Sequence, residues 1–317
     1  MIFSNCMKLE LVAESIEIGR QTLLIRDIAF SPDGKLLASA GTDSIIRFWD
    51  VATQKEVGQI LWEKLVPYGY STVESVAFSP DGKLFAACGG IGSLALFYTS
   101  NFQLITEFPL QKRTKLIESN VAFSPCGRYL AVVGWNNVLR LISIEEQKVV
   151  QQLNLQGWLH SIAFHPTKKL LAVGGSNFVR LFDFETNQSF NNLPKKIALD
   201  TEKLGGSDLG FSNNGKWLAI ACSDDSVRIY QANKKEPQFI CRNHRGGSTA
   251  VAWHPKNDLF ISGDGSKFIY LWNGESAELL TSIAGHQKKV SCLKWRLDGE
   301  MFASASWDRS IKFWQIV

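Results

Sequence analysis

One pattern governs what this chain of 317 residues can become: a single motif returns seven times from end to end. AFSPDGKLLASAGTDSIIRFWD (29–50) recurs as AFSPDGKLFAACGGIGSLALFY (77–98), AFSPCGRYLAVVGWNNVLRLIS (122–143) and AFHPTKKLLAVGGSNFVRLFD (163–183). It returns as GFSNNGKWLAIACSDDSVRIYQ (210–231), AWHPKNDLFISGDGSKFIYLWN (252–273) and KWRLDGEMFASASWDRSIKFWQ (294–315). The aromatic anchors Phe30, Phe78, Phe123, Phe164, Phe211, Trp253 and Trp295 stand 48, 45, 41, 47, 42 and 42 residues apart. A fixed period of this size marks supersecondary units that bury their apolar faces only by stacking on one another. Length alone suggests about two domains. The repeat overrides that, because no Gly/Ser/Pro linker interrupts it, and a single domain over 1–317 is expected.

Each unit reads as strands. Ile28–Phe30 ends one strand, and Ser31-Pro32-Asp33-Gly34 turns the chain, with proline pre-setting one dihedral and glycine accepting positive φ. Leu36–Ala40 forms a short apolar strand, Gly41–Ser44 a second turn, and Ile45–Trp49 a β-branched and aromatic third strand. The runs between copies, such as Lys55–Leu61, Gln103–Leu110 and Glu278–Ile283, supply a fourth. Helical periodicity is absent. Four short strands in about 43 residues is the arithmetic of a propeller blade.

The units resemble the WD-repeat (WD40) family of β-propellers. The resemblance rests on the SPDG turns, the Ser306-Trp307-Asp308 tripeptide, the closing aromatics Trp49, Trp272 and Trp314, and Gly285-His286 nine residues before Trp295. It covers nearly the whole chain and implies an all-β, seven-bladed propeller. Its near-consensus style suggests a bacterial-like member. Family members commonly seal the ring with an N-terminal strand. Here Met7–Ala13 alternates polar and apolar residues and is expected to pair with Ser310–Ile316, residues 1–14 completing the last blade.

The family's structural network joins the His of Gly-His, a strand hydroxyl, a turn Asp and the closing Trp. Only the last unit keeps all four, as His286, Ser304, Asp308 and Trp314. His244 matches in the sixth unit, but Ser266 stands in the Asp position. Asp43 and Asp224 lack an upstream Gly-His, and Asn136 and Asn177 replace Asp elsewhere. A half-satisfied buried network is worse than none, so these blades are expected to repack with apolar or amide groups.

No catalytic motif is present: no HExxH, no GxSxG and no GxxxxGK[ST]. Gly205-Gly206-Ser207-Asp208 lacks the glycine spacing of a nucleophile elbow and reads as a turn before an inner strand. His165 and His254 occupy the serine slot of the SPDG turn, and His244 and His286 are network positions. Only His160 is left for a general base or a surface contact. Cys6, Cys88, Cys126, Cys222, Cys241 and Cys292 form no CxxC pair and no zinc spacing, which fits a reducing compartment. Lys+Arg exceed Asp+Glu by 34 to 30, far from a nucleic-acid footprint, although 111–115 and 195–196 place bases in loops. No apolar run approaches the roughly 18 residues of a spanning helix, and the N-terminus does not read as a signal peptide. No catalytic residue, cofactor or metal is assigned, and the chain is expected to be cytoplasmic, with neither membrane nor nucleic acid as its partner.

A propeller's strands are consumed by its fold, so function is expected in its loops. The reading is a non-catalytic scaffold binding other proteins or peptides. It would be a monomeric propeller serving as a subunit of a larger complex. The rival is a sensor or enzyme with a small ligand in the central channel, or a nucleic-acid-associated adaptor. The resemblance implies partner contacts at three positions per blade: six and four residues before each anchor, and just before the turn Asp. They fall on Leu24, Arg26, Thr72, Glu74, Ile117, Ser119, Trp158, His160, Lys289 and Ser291, with Trp135 and Trp307 at the third position. The fifth and sixth units offer only Gly, Ser and Thr. The site is expected to centre on Trp135, Trp158, Arg26 and Trp307, with Leu24, Glu74, Ile117, His160 and Lys289 around it. The linker Trp62–Thr72, with Tyr68 and Tyr70, should rise beside it.

Overall fold

The computed structural model describes residues 7–15, 24–65, 72–90, 92–110, 118–176, 178–184, 197–198, 206–231 and 234–317. They form seven four-stranded antiparallel sheets, and in six of them the four strands follow in chain order. The inner strands are Ile25–Phe30, Val73–Phe78, Glu118–Phe123, Leu159–Phe164, Gly206–Phe211, Ser248–Trp253 and Val290–Trp295, and they number blades 1 to 7. Each inner strand packs against the next, and that of blade 7 against that of blade 1. The ring therefore closes, and the chain is an all-β seven-bladed propeller. A single 3-10 turn, Trp62–Lys64, is the helical element among the described residues.

The seventh sheet breaks chain order, running β1–β28–β27–β26, where β1 is Leu9–Ser15, β26 Val290–Trp295, β27 Phe302–Ser306 and β28 Ile311–Ile316. Leu9 lies opposite Ile316, Leu11 opposite Trp314 and Ser15 opposite Ile311. An N-terminal strand thus closes the last blade and covers what would otherwise be an open edge of unpaired amides.

The second strands are almost wholly buried, as in Leu36–Gly41 and Trp217–Cys222, because each blade is sandwiched between two neighbours. Both faces must then be apolar, and strict alternation disappears. The fourth strands, such as Glu56–Leu61, regain polar exposed positions at the rim. Seven apolar clusters result, one at each blade–blade interface. Between blades 1 and 2, Phe48 stacks on Phe102 with centroids 3.9 Å apart and meets Phe85 edge-on at 4.9 Å. Cys88, Cys222, Cys241 and Cys292 are buried in these clusters or beside the channel, with free thiols.

Strand direction sorts the loops onto two faces. First-to-second turns (the SPDG type) and third-to-fourth turns share one face. Second-to-third turns and blade-to-blade linkers share the other, here called the upper face.

Candidate functional site at the channel mouth

Every inner strand carries a register shift near its upper end, between Ile25/Asp27, Val73/Ser75, Glu118/Asn120, Leu159/Ser161, Gly206/Asp208, Ser248/Ala250 and Val290/Cys292. Such a bulge leaves one residue unpaired and re-aims its side chain. The seven unpaired residues are Arg26, Glu74, Ser119, His160, Ser207, Thr249 and Ser291. All seven line one cavity of about 450 Å³ at the upper mouth of the channel. Ser207 and Asp208 already lie within the inner strand, so the turn expected for 205–208 is corrected over its described part.

At Asp27, Asn120, Asp208 and Cys292 the residue after the bulge also lines the channel, and there it bonds across to the next blade. Asp27 accepts hydrogen bonds from Ser75 Oγ at 2.8 Å and Val76 N at 3.0 Å. Its other oxygen takes Ile28 N at 2.9 Å and the Cys292 thiol at 3.0 Å. Asn120 accepts from Ile162 N at 3.3 Å, and Asp208 from Val251 N at 3.0 Å. These side chains stitch consecutive blades around the axis. Burial pushes the Asp208 carboxyl and the Cys292 thiol up. Lys294 stands between them, raised above its ordinary range by Cys292 and the carboxylates of Asp27 and Asp208 against the effect of burial. Sequence patterning gave no sign of this belt, because its partners are some 40 to 50 residues apart.

Two poles face each other across the mouth. On blades 3 and 4 the indole of Trp135 stacks on Trp158, centroids 6.0 Å apart and planes inclined by 26°. Trp158 remains 58% exposed. Beside it His160 Nε2 lies 3.1 Å from Ser176 Oγ, and burial lowers the imidazole's pKa. On blades 7 and 1, Trp307 carries Arg26 over its ring at 5.7 Å and Lys289 at 4.8 Å. Arg26 also reaches Glu74 at 3.4 Å. Between the poles, Ser119 and Thr249 spend their hydroxyls on the Leu159 and Val290 carbonyls of the next blade, at 2.8 and 2.6 Å.

Leu24, half-buried, does not line this cavity; it borders a separate small pocket with Asp43 and Arg47. Ile117, Tyr68 and Tyr70 lie outside the described residues, as do the basic loops 111–115 and 195–196. Trp62 does not rise beside the face: it is fully buried against blade 2, since its large apolar ring completes that interface. Among the described residues no group of three His, Cys, Asp or Glu could hold a metal ion.

The family model described as WD domain, G-beta repeat matches residues 18–50, 63–92, 147–183, 207–231, 235–273 and 277–315. The chain belongs to the WD40 repeat family. It is 28% identical over 297 residues to the WD repeat-containing protein 26 homolog of Drosophila melanogaster, covering 90% of this chain and 45% of that protein. It is 26% identical over 296 residues to the transcriptional corepressor LEUNIG_HOMOLOG of Arabidopsis thaliana, covering 90% and 34%. A third relative, the probable cytosolic iron-sulfur protein assembly protein 1 of Kluyveromyces lactis, is 26% identical over 135 residues, 39% of this chain and 40% of that protein. The chain thus spans less than half of these relatives' own lengths. All three are eukaryotic and lend no support to the bacterial style.

Against the WD40 network, blade 7 shows every link. His286 Nε2 lies 2.7 Å from Ser304 Oγ, which also accepts from Trp314 Nε1 at 2.8 Å, while His286 Nδ1 lies 2.9 Å from Asp308. Burial alone would raise Asp308, but hydrogen bonds from His286, Ser310 and the Gln287 amide hold its carboxyl well below the ordinary range.

Blade 3 keeps the expected amide, Asn136 accepting from Val138 N at 3.0 Å, and Asn177 of blade 4 lies outside the described residues. Blades 1, 5 and 6 depart from the repacking expected from their WD40 sequence. Asp43 and Asp224 are each answered by an arginine four residues on, Arg47 and Arg228, the latter at 3.2 Å. The missing histidine is replaced by a third-strand cation, not by apolar or amide groups. In blade 6 the carboxylate has moved. Asp264, at the end of the second strand, binds the Ser266 hydroxyl at 2.8 Å, four backbone amides and the Tyr270 hydroxyl at 2.9 Å. His244 and Trp272 still meet on Ser262, at 2.7 and 2.8 Å.

On the lower face, His165 and His254 do more than replace serine. Each Nδ1 accepts two amides of its own turn, and each Nε2 reaches the glycine carbonyl of the next blade's turn, Gly215 at 3.1 Å and Gly299 at 3.0 Å. A serine is too short to make that second contact.

Proposed function

We propose that this chain is a non-catalytic WD40 scaffold whose upper channel mouth binds a partner protein or peptide within a larger assembly. The observation that carries this reading is the bulge in every blade. Seven residues leave the ladder at one end of the channel, and the mouth they line is flanked by a half-exposed tryptophan pair that stacks across the blade 3–4 boundary outside the apolar cluster there. Tryptophan and arginine are the side chains most enriched at interface hot spots. The relatives' names point the same way, one printed as a corepressor and one as an assembly protein. On this reading the chain acts as a single propeller in the cytoplasm. No described helix is long and apolar enough to cross a bilayer.

Affinity purification from the native host, followed by mass spectrometry, tests this. A stoichiometric protein should co-purify. Alanine at Trp135 and Trp158 should weaken its capture about tenfold, the scale of one hot-spot residue, with the melting temperature nearly unchanged. Equal loss of folding and capture would mean that the rings are structural and the partner binds elsewhere.

A further inference from the structure

The mouth is chemically lopsided, and its lopsidedness describes an occupant. Its two acidic channel residues are already engaged: Asp27 and Asp208 accept hydrogen bonds from the amides and side chains of neighbouring blades. At the rim, Glu74 is taken by Arg26. At that rim Arg26 and Lys289 against Glu74 leave one positive charge in excess, while deeper in the channel Lys294 is set among Asp27 and Asp208. Lys289 makes no ion pair among the described residues; it rests over the Trp307 ring at 4.8 Å, with Arg26 on the same indole. Two residues along, the buried hydroxyl of Ser291 has no hydrogen-bond partner among the described residues and lines the same cavity. Opposite stands the exposed face of Trp158.

Resting on the scaffold reading above, we propose that the mouth receives an extended acidic segment of the partner. An Asp or Glu side chain would meet Lys289 and Ser291, and an apolar residue would lie on Trp158. A carboxylate there supplies the charge that Lys289 lacks and an acceptor for the Ser291 hydroxyl. It arrives at a partly desolvated cation already backed by an aromatic ring, where such pairs are worth most. Burial, and then the like charge of Arg26, lowers the Lys289 pKa, and the charge of an incoming anion would oppose both effects. A nucleic-acid strand is the poorer fit, because tight binding of a phosphate backbone takes several cations along a track, and only the rim of this mouth carries an excess, of one, with carboxylates below it.

The test uses the full chain and an array of C-terminally amidated peptides about twelve residues long, a length suited to an extended binding groove. Each holds one Asp or Glu and one Leu or Phe at graded spacings in a Gly/Ser background. Control arrays carry Asn or Gln, or Lys, in the acidic position, and a labelled oligothymidylate tests the nucleic-acid alternative. The expected result is retention of acidic–apolar peptides over both controls. Lys289→Gln and Lys289→Met should each weaken it about tenfold, the Met variant keeping an apolar stem over Trp307. Lys289→Arg should retain binding, and Lys289→Glu should shift preference to the lysine array, with melting temperatures confirming that each variant is folded. Equal retention of Asn and Gln peptides, indifference to Lys289, or preference for the oligonucleotide overturns the proposal. If native partner capture survives Lys289→Gln but is lost with Trp135 and Trp158, the scaffold reading stands and the acidic segment falls. If none of these variants affects capture, the mouth itself is not the binding face.

Discussion

His244 and Ser262 meet at 2.7 Å inside blade 6, yet the imidazole's other nitrogen, Nδ1, has no hydrogen-bond partner among the described residues. In blade 7 the equivalent nitrogen of His286 faces Asp308. Burial pushes His244 down to about 4 from its ordinary 6.5, despite the opposing pull of Asp264 and Asp225. The neutral ring is therefore the folded form. As pH falls from 6.5 towards 4, the unfolded chain takes up a proton that the folded one refuses, and stability drops. Linkage puts the loss for this one group at about 3 kcal/mol across that window. Chemical denaturation at pH 7 and at pH 4.5 should show it, and His244→Gln should flatten the difference by about one proton. An unaltered pH dependence in the variant would show that His244 does not set it.

Asp308→Ala should destabilise the fold by about 2–3 kcal/mol, because it leaves His286 and the Gln287 amide without their charged acceptor. The native contribution of this depressed carboxylate is full above its ordinary pKa of 3.8 and is lost only in acid below it. Urea unfolding at neutral pH measures the difference. A silent substitution would mean that the network does not support blade 7.

Gly215 sits at φ +69°, and a Cβ built there falls 2.2 Å from His165 Cε1. Gly215→Ala should lower stability by more than the roughly 1 kcal/mol usual for alanine at a left-handed glycine. Pairing it with His165→Ser, which restores the residue used in blades 1, 2, 3 and 5, should recover part of the loss. Strictly additive effects in this double-mutant cycle would show that the two turns are not in contact.

Removing residues 1–15 strips β1 from β28 and exposes the outer edge of the last blade. The melting temperature and the soluble yield should both fall sharply, as expected of an uncovered strand edge. Unchanged melting would mean that the ring holds without its closing strand.

The sevenfold repeat determined the blade count, the strand order and the closing strand, because period-2 runs, turn residues and aromatic anchors act over a few neighbours and repeat at a fixed interval. The candidate aromatic site was legible for a similar reason. Trp135 and Trp307 share the place before the turn Asn136 or Asp308, Trp158 lies six residues before its anchor Phe164, and both places in the repeat fall on the upper face. Closure and twist decided the rest. The bulges aim residue 26 and its counterparts at the mouth and residue 27 and its counterparts at the next blade, a choice made by sheet register across strands. Arg47 and Arg228 replace a missing histidine, Asp264 replaces a missing turn carboxylate, and His165 reaches Gly215 across a blade boundary. Each such substitution keeps a buried group paired by drawing on a side chain that the folded ring brings within about 3 Å. The arginines stand four residues after their aspartates, but for His165 and Gly215, 50 residues apart, distance along the chain carries no information about the partner.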